Sequence, residues 1–350
     1  MQIKKIYIIV PVILLFIVLF SAFCFSKSNR INVPEKYEIK ELPKICNDIK
    51  LGGFSDLYYK DGFFYTITDR GPCTKKVKLP DGKGKVFPCK NYKPKIVKFK
   101  IENNEAKIVS INDITNVTGL PIAKKRDCIP LDKNEKILPF DINGLDSESL
   151  IVDNEGNYWV GDEYYPSIAK IDKNFKVTKR FAPFDCKYQN PNITYNLPEE
   201  LNKIKKNKGF EAIAYNGQDK IYVFTQAISK ILDYVVVLEF NIKTEQVENV
   251  FEYIPYDEKE YISGAVYKDG KIITVGKIQD KNIINIFEIK QDKLIKKSTV
   301  ELSKFIAPAK FEGIAYNENE NSFYIINDND FGIKKEEETK SYIINFDFKD

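Results

Sequence analysis

Residues 144–163 read Gly144-Leu-Asp-Ser-Glu-Ser-Leu-Ile-Val-Asp-Asn-Glu-Gly-Asn-Tyr-Trp-Val-Gly-Asp-Glu163. The apolar run Leu150-Ile151-Val152 meets a turn, Asp153-Asn154-Glu155-Gly156, and a second run follows, Tyr158-Trp159-Val160. Two β-prone runs joined by Asx and Gly residues are the signature of a β-hairpin. Glu148 stands just before the first strand, and Asp162 and Glu163 just after the second. Both strands of a hairpin meet at one edge, so these three carboxylates are expected to be neighbours.

The unit recurs four times. Asp56 opens a copy closed by Asp69 and Arg70, Glu211 one closed by Gln226, and Glu312 one closed by Asp328, Asn329 and Asp330. The remaining copy, Ser263-Gly264-Ala265-Val266-Tyr267, turns at Lys268-Asp269-Gly270 and leaves through Gly276 and Lys277, without acids at its ends. Each hairpin is followed by further strand-like runs, such as 95–101 and 106–111 after the first and 234–240 and 247–253 after the third. The last copy has one such run, 341–348, and residues 37–42 at the other end of the chain are the expected fourth strand. Four-stranded units at intervals of about 50 residues predict an all-β fold, a β-propeller of five or six blades. Residues 112–143 and 185–208 read as insertions, the second with a helix over 198–206 that faces Leu201 and Ile204 inward.

The formal charge of +4 comes entirely from residues 1–30, which carry Lys4, Lys5, Lys27 and Arg30 and no acid; the remaining 50 basic and 50 acidic residues cancel. A neutral body with no basic stripe argues against nucleic acid as a partner. Histidine is absent, which excludes a Ser-His-Asp triad and a His-ligated zinc. Residues 6–25 are apolar apart from Ser21 and Pro11, behind Lys4 and Lys5. Residues 1–30 therefore read as a signal or membrane anchor, an N-terminal membrane helix being favoured, with domain 31–350 exported to the periplasm or outside the cell. Export permits disulfides. Cys73 and Cys89 flank the Lys- and Gly-rich loop 74–88 and are the expected bridge, although spacing alone does not determine connectivity.

In a propeller, the first strand of every blade starts at one mouth of a central channel. Asp56, Glu148, Glu211 and Glu312 are expected to ring it, with Asp69, Asp162, Glu163, Gln226, Asp328 and Asp330 behind. Crowded carboxylates need protons or a cation, and an oxygen-only donor set favours Ca2+. No nucleotide or flavin cofactor is expected. Arg70 and Lys277, the basic residues at equivalent exits, are suited to a substrate anion. The plain alternative, Asp and Asn capping turns, suits Asp153, Asn154, Asp269 and Asn319 but not glutamate at a strand entrance.

At these residues the chain resembles the phytase-like family, the "esterase-like activity of phytase" domain. The resemblance rests on Gly53-Phe54-Ser55-Asp56-Leu57 with Thr68-Asp69-Arg70-Gly71-Pro72, on residues 144–163 with Tyr164-Tyr165-Pro166, on Gly209-Phe210-Glu211-Ala212 and on Phe311-Glu312-Gly313 with Asn327-Asp328-Asn329-Asp330. It covers roughly residues 45–348, and the fourth repeat departs from it. It implies a propeller and hydrolysis of phosphate or other esters. On that reading Asp56, Glu148, Glu211 and Glu312 hold the metal with Asp162, Asp328 and Asp330. Arg70, Lys277 and Tyr164 bind a small anionic ester, and Glu163 accepts a proton with Asp69 and Arg70 in the catalytic set. A monomer is expected. The competing expectation is a non-catalytic module that binds a partner or glycan.

Overall fold

All five hairpins form, and each grows outward by further strands. The computed structural model describes residues 34–184, 192–229, 231–333 and 340–347. Sheet one runs Tyr58–Lys60, Phe63–Ile67, Lys95–Glu102, Glu105–Asp113. Sheet two runs Ser147–Val152, Tyr158–Asp162, Ser167–Ile171, Val177–Pro183, with Ile193–Leu197 added in parallel at its edge. Sheet three runs Phe210–Tyr215, Lys220–Thr225, Val235–Asn241, Gln246–Tyr253. Sheet four runs Glu260–Lys268, Lys271–Ile278, Lys281–Lys290, Lys293–Glu301. Sheet five runs Phe311–Asn317, Ser322–Asn327, Tyr342–Phe346 and is completed by Glu35–Glu38.

The sheets stand around an axis. Apolar clusters join sheet one to two (Ile67 with Val160), two to three (Trp159 with Phe240) and three to four (Phe224 with Phe287). Others join four to five (Ile284 with Ile325) and five back to one (Tyr324 with Phe64). A row of sheets would lack the last of these, so the arrangement is a closed ring and propeller-like. Inner strands are covered on both faces: Phe210–Tyr215 and Val235–Asn241 are buried at every residue, while the outer Gln246–Tyr253 alternates. This explains the two-sided apolar runs in the sequence. Each large apolar side chain so buried contributes about 1.5–3 kcal/mol.

The closing strand is shorter and earlier than residues 37–42. Tyr37 pairs with Ile343, but Ile39 already bridges to Ala106 of sheet one, and Glu41 turns the chain away at φ 55°. The insertion 112–143 is not wholly irregular. Its Ile129–Leu131 lies parallel to Gly82–Val86, whose antiparallel partner is Lys75–Leu79. The expected helix over 198–206 is a 3-10 turn, Glu199–Lys203, held by burial of Leu201 and Ile204.

The disulfide expectation is corrected: Cys89 pairs with Cys46, Cα to Cα 5.8 Å, and Cys73 is free. Lys75 pairs with Val86, and this register, continued outward, sets Cys73 opposite Pro88 rather than Cys89. Cys89 instead packs with Cys46, Tyr92 and Phe331. Cys186 and the apolar run 6–25 lie outside the described residues. Among the described residues, no helix is long and apolar enough to cross a membrane.

Candidate functional site

One local irregularity builds the site. The first strand of sheets two, three, four and five slips register against its partner between Ser147 and Ser149, Phe210 and Ala212, Ile262 and Gly264, and Phe311 and Gly313. The residue inside each slip is Glu148, Glu211, Ser263 or Glu312. A bulge bends the strand and re-aims the extra side chain. Glutamate recurs at the strand entrance because that residue leaves the pleat and turns toward the axis. In sheet four Ser263 fills the place, and its hydroxyl donates to the Phe311 carbonyl, 2.7 Å. The departure of the fourth repeat is thus an acid replaced by a structural link to the next sheet.

Around the axis the acids divide into two groups. Asp146, Glu148 and Glu163 offer carboxylate oxygens that all lie within 4.8 Å of one another. The other group gathers on Lys310, whose Nζ contacts Asp328 and lies 3.3 Å from Glu312 and 3.8 Å from Asp330. Desolvation works against the charge of Lys310, and these carboxylates override it and hold its pKa well above the ordinary lysine value. The two groups sense each other, for Glu148 and Glu163 both feel Lys310.

Two oxygens in this region are buried without a partner among the described residues: Glu163 Oε1 and Glu211 Oε2. The other Glu211 oxygen accepts from Gln226. Burial, then the neighbouring Glu163 and Glu312, raises the Glu211 carboxyl well above its usual range. Burial, then Asp146, raises Glu163 to about 7, against the pull of Arg70, Lys208 and Lys310. Burial and the charges of Asp146, Glu211 and Glu163 raise Glu148 likewise. A buried acidic cluster with oxygens left over is a donor set for a hard cation, and the residues present fit one.

Several expected ligands do other work. Asp56 is buried, and its two oxygens accept from the Leu57 and Leu150 amides at 2.8 and 2.6 Å, tying sheet one to sheet two. Asp162 accepts from the Asp146 and Tyr164 amides, both 3.1 Å, and lies 3.6 Å from Arg180. Neither joins the cluster. Tyr164 is fully buried, donates its hydroxyl to the Gly119 carbonyl at 2.7 Å and stacks its ring under Arg70 at 5.4 Å. It supports Arg70 and is not available to a substrate. Arg70 Nη1 is itself held by Asp146, by Asn207 at 2.9 Å and by Asp127 at 3.4 Å. Asp69 is spent partly on the Gly71 amide, 2.7 Å, and burial followed by the charges of Asp328 and Asp146 raises its pKa well above the usual range. Lys277 lies on Lys271–Ile278 and acts on Glu312 through its charge.

Sequence reasoning missed Asp146, Asp127, Lys208 and Lys310. For Asp146 a signal existed: it sits two residues before Glu148, on the same side of an extended chain. Lys310 bears the same relation to Glu312. Nothing local marks Asp127, which reaches Arg70 and Lys85 from the far insertion.

Residues 49–331 match the family described as "Phytase-like: Esterase-like activity of phytase". The chain belongs to the phytase-like family. No curated protein matches the sequence of this phytase-like chain. Among solved structures, a GH43 β-1,3-galactosidase is similar at TM-score 0.48 and 11% identity, covering 88% of this chain and 94% of that one. The luciferin-regenerating enzyme gives 0.44 and 12%, covering 89% and 95%. A PQQ-bound aldose sugar dehydrogenase from Streptomyces coelicolor gives 0.39 and 7%, covering 90% and 98%. With TM-scores under 0.5, these likenesses carry no argument about chemistry.

Proposed function

We propose that this phytase-like chain is an exported, membrane-tethered, five-bladed propeller that hydrolyses phosphate or other esters with calcium. The observation that carries the reading is the cluster Asp146, Glu148 and Glu163, in which Glu163 keeps one buried oxygen without a partner among the described residues. Asp146, Glu148 and Glu163 would hold the ion, so Glu163 fits better as a ligand than as the expected proton acceptor. Bound calcium would supply a Lewis acid for the ester oxygen and an acidified water. Glu211, whose carboxyl burial and the neighbouring Glu163 and Glu312 push well above its usual range, is suited to give a proton to the leaving oxygen. Lys208 and Lys310, which with Arg70 are the cations whose charge reaches Glu163, would draw in a small anionic ester. The protein acts as a monomer, without nucleic acid.

The test is turnover of chromogenic phosphate and acyl esters by residues 31–350, with calcium and with chelator. Glu211→Gln is expected to lower kcat about 100-fold while leaving calcium binding intact. Glu148→Gln is expected to abolish the calcium-induced rise in melting temperature. Turnover that survives chelation refutes the metal role, and a calcium-raised melting temperature without turnover on any ester favours the binding module.

A further inference from the structure

The small three-stranded sheet at the rim has two unlike faces. Val77, Leu79, Val86, Ile129 and Leu131 pack together on one. Strand alternation sends their neighbours to the other, and register places Lys76 opposite Lys85 and Lys78 opposite Lys83. Like charges directly opposite on an antiparallel pair destabilise it, yet this hairpin carries two such pairs in succession. Only Lys85 is neutralised, by both oxygens of Asp127 at 2.9 and 3.1 Å. Lys76, Lys78 and Lys83 are exposed and make no hydrogen bond or ion pair among the described residues.

The lysine face is continuous with the candidate site. Lys85 and Arg70 share Asp127, and Arg70 shares Asp146 with the carboxylate cluster. Lysines two residues apart along a strand are separated by about 6.6–6.8 Å, and opposed lysines by about 5 Å. The result is a narrow ladder of ammonium groups running from solvent to the rim. Its four paired positions are all lysine, with no aromatic or aliphatic side chain to enter a lipid interface. Spread over two strands at these spacings, the three lysines suit repeated anions better than one phosphate. Repeated charges on an extended ligand would sum several individually weak exposed contacts.

We propose that this face binds a linear polyphosphate chain laid along the hairpin toward Arg70; its paired positions offer no aromatic side chain on which the bases of a nucleic acid would stack. The proposal uses no residue of the carboxylate cluster and stands without the calcium reading.

The probe is labelled inorganic polyphosphate, titrated into the full chain in neutral-detergent micelles with chelator present throughout. Chelator separates this result from the fate of the metal reading. The triple variant Lys76→Gln, Lys78→Gln, Lys83→Gln is expected to bind about tenfold more weakly, with a flatter salt dependence. A control triple at outer turns and a strand end, Lys173→Gln, Lys243→Gln, Lys293→Gln, is expected to bind like the parent chain. Orthophosphate at equal phosphate concentration is expected not to compete. The proposal is overturned if the parent chain binds no polyphosphate, if both triples weaken alike or neither weakens, or if orthophosphate competes equally. It is also overturned if phosphatidylglycerol doped into the micelles, and not polyphosphate, engages the three lysines.

Discussion

Asp56 and Glu163 are both buried acids at hairpin edges, and the difference between them is where their oxygens go. Asp56 spends both on backbone amides; Glu163 keeps Oε1 free. Asp56→Ala is therefore expected to cost about 2–5 kcal/mol in a urea titration, because two buried donors lose their acceptor, while calcium affinity stays unchanged. Glu163→Gln should do the reverse and weaken calcium binding at least about tenfold, read by calorimetry. The titration of Glu163 has a sign that can be checked. Its carboxyl rises from 4.5 to about 7 on folding, so the native state binds the proton more tightly. That contribution to stability is full below about 4.5 and lost as pH rises through about 7. Asp162, raised to about 7 by burial against the pull of Arg180, adds in the same direction. The melting temperature in chelator should fall across this window, and calcium, which needs the carboxylates ionised, should oppose the fall. A calcium-free melting temperature that climbs from pH 5 to 8 would contradict this account.

At the scale of elements, two contacts can be tested. Gly313 follows the bulged Glu312, and a Cβ there would lie 2.3 Å from the Leu57 amide nitrogen and 2.4 Å from the Asp56 carbonyl carbon. These are backbone atoms of the adjoining sheet and cannot swing aside. Gly313→Ala is expected to destabilise the protein by at least about 1–3 kcal/mol, measured by chemical denaturation. The Cys46–Cys89 bridge closes a separation of 43 residues, and Cys46→Ser should cost about 2–4 kcal/mol where Cys73→Ser costs nothing comparable. A cost at Cys73→Ser with none at Cys46→Ser would restore the pairing expected from sequence. That pairing failed because proximity in sequence ignores strand register, which turns adjacent side chains to opposite faces. The hairpins themselves were legible. Their turns depend on neighbouring residues, as at Gly156, which takes φ 83° with nothing near its missing Cβ.

For the whole molecule, the consequence of interest is closure. Glu35–Glu38 completes sheet five, and Tyr37 and Ile39 are buried where that sheet meets sheet one. A chain beginning at residue 43 loses both side chains and should be less stable by roughly 3–6 kcal/mol than one beginning at 31, judged by denaturant titration. Unchanged stability would mean that the ring does not depend on joining the two ends of the chain. Repetition of a short pattern determined the all-β class, the five hairpins and the edge at which acids gather, because each rests on residues close in sequence. Only the tertiary structure decided which acids meet. Asp127 and Cys46 find their partners across long sequence separations, and the bulges that aim Glu148, Glu211 and Glu312 are features of paired strands. Whether a carboxylate serves the backbone, a lysine or a cation depends on which donors folding brings within reach.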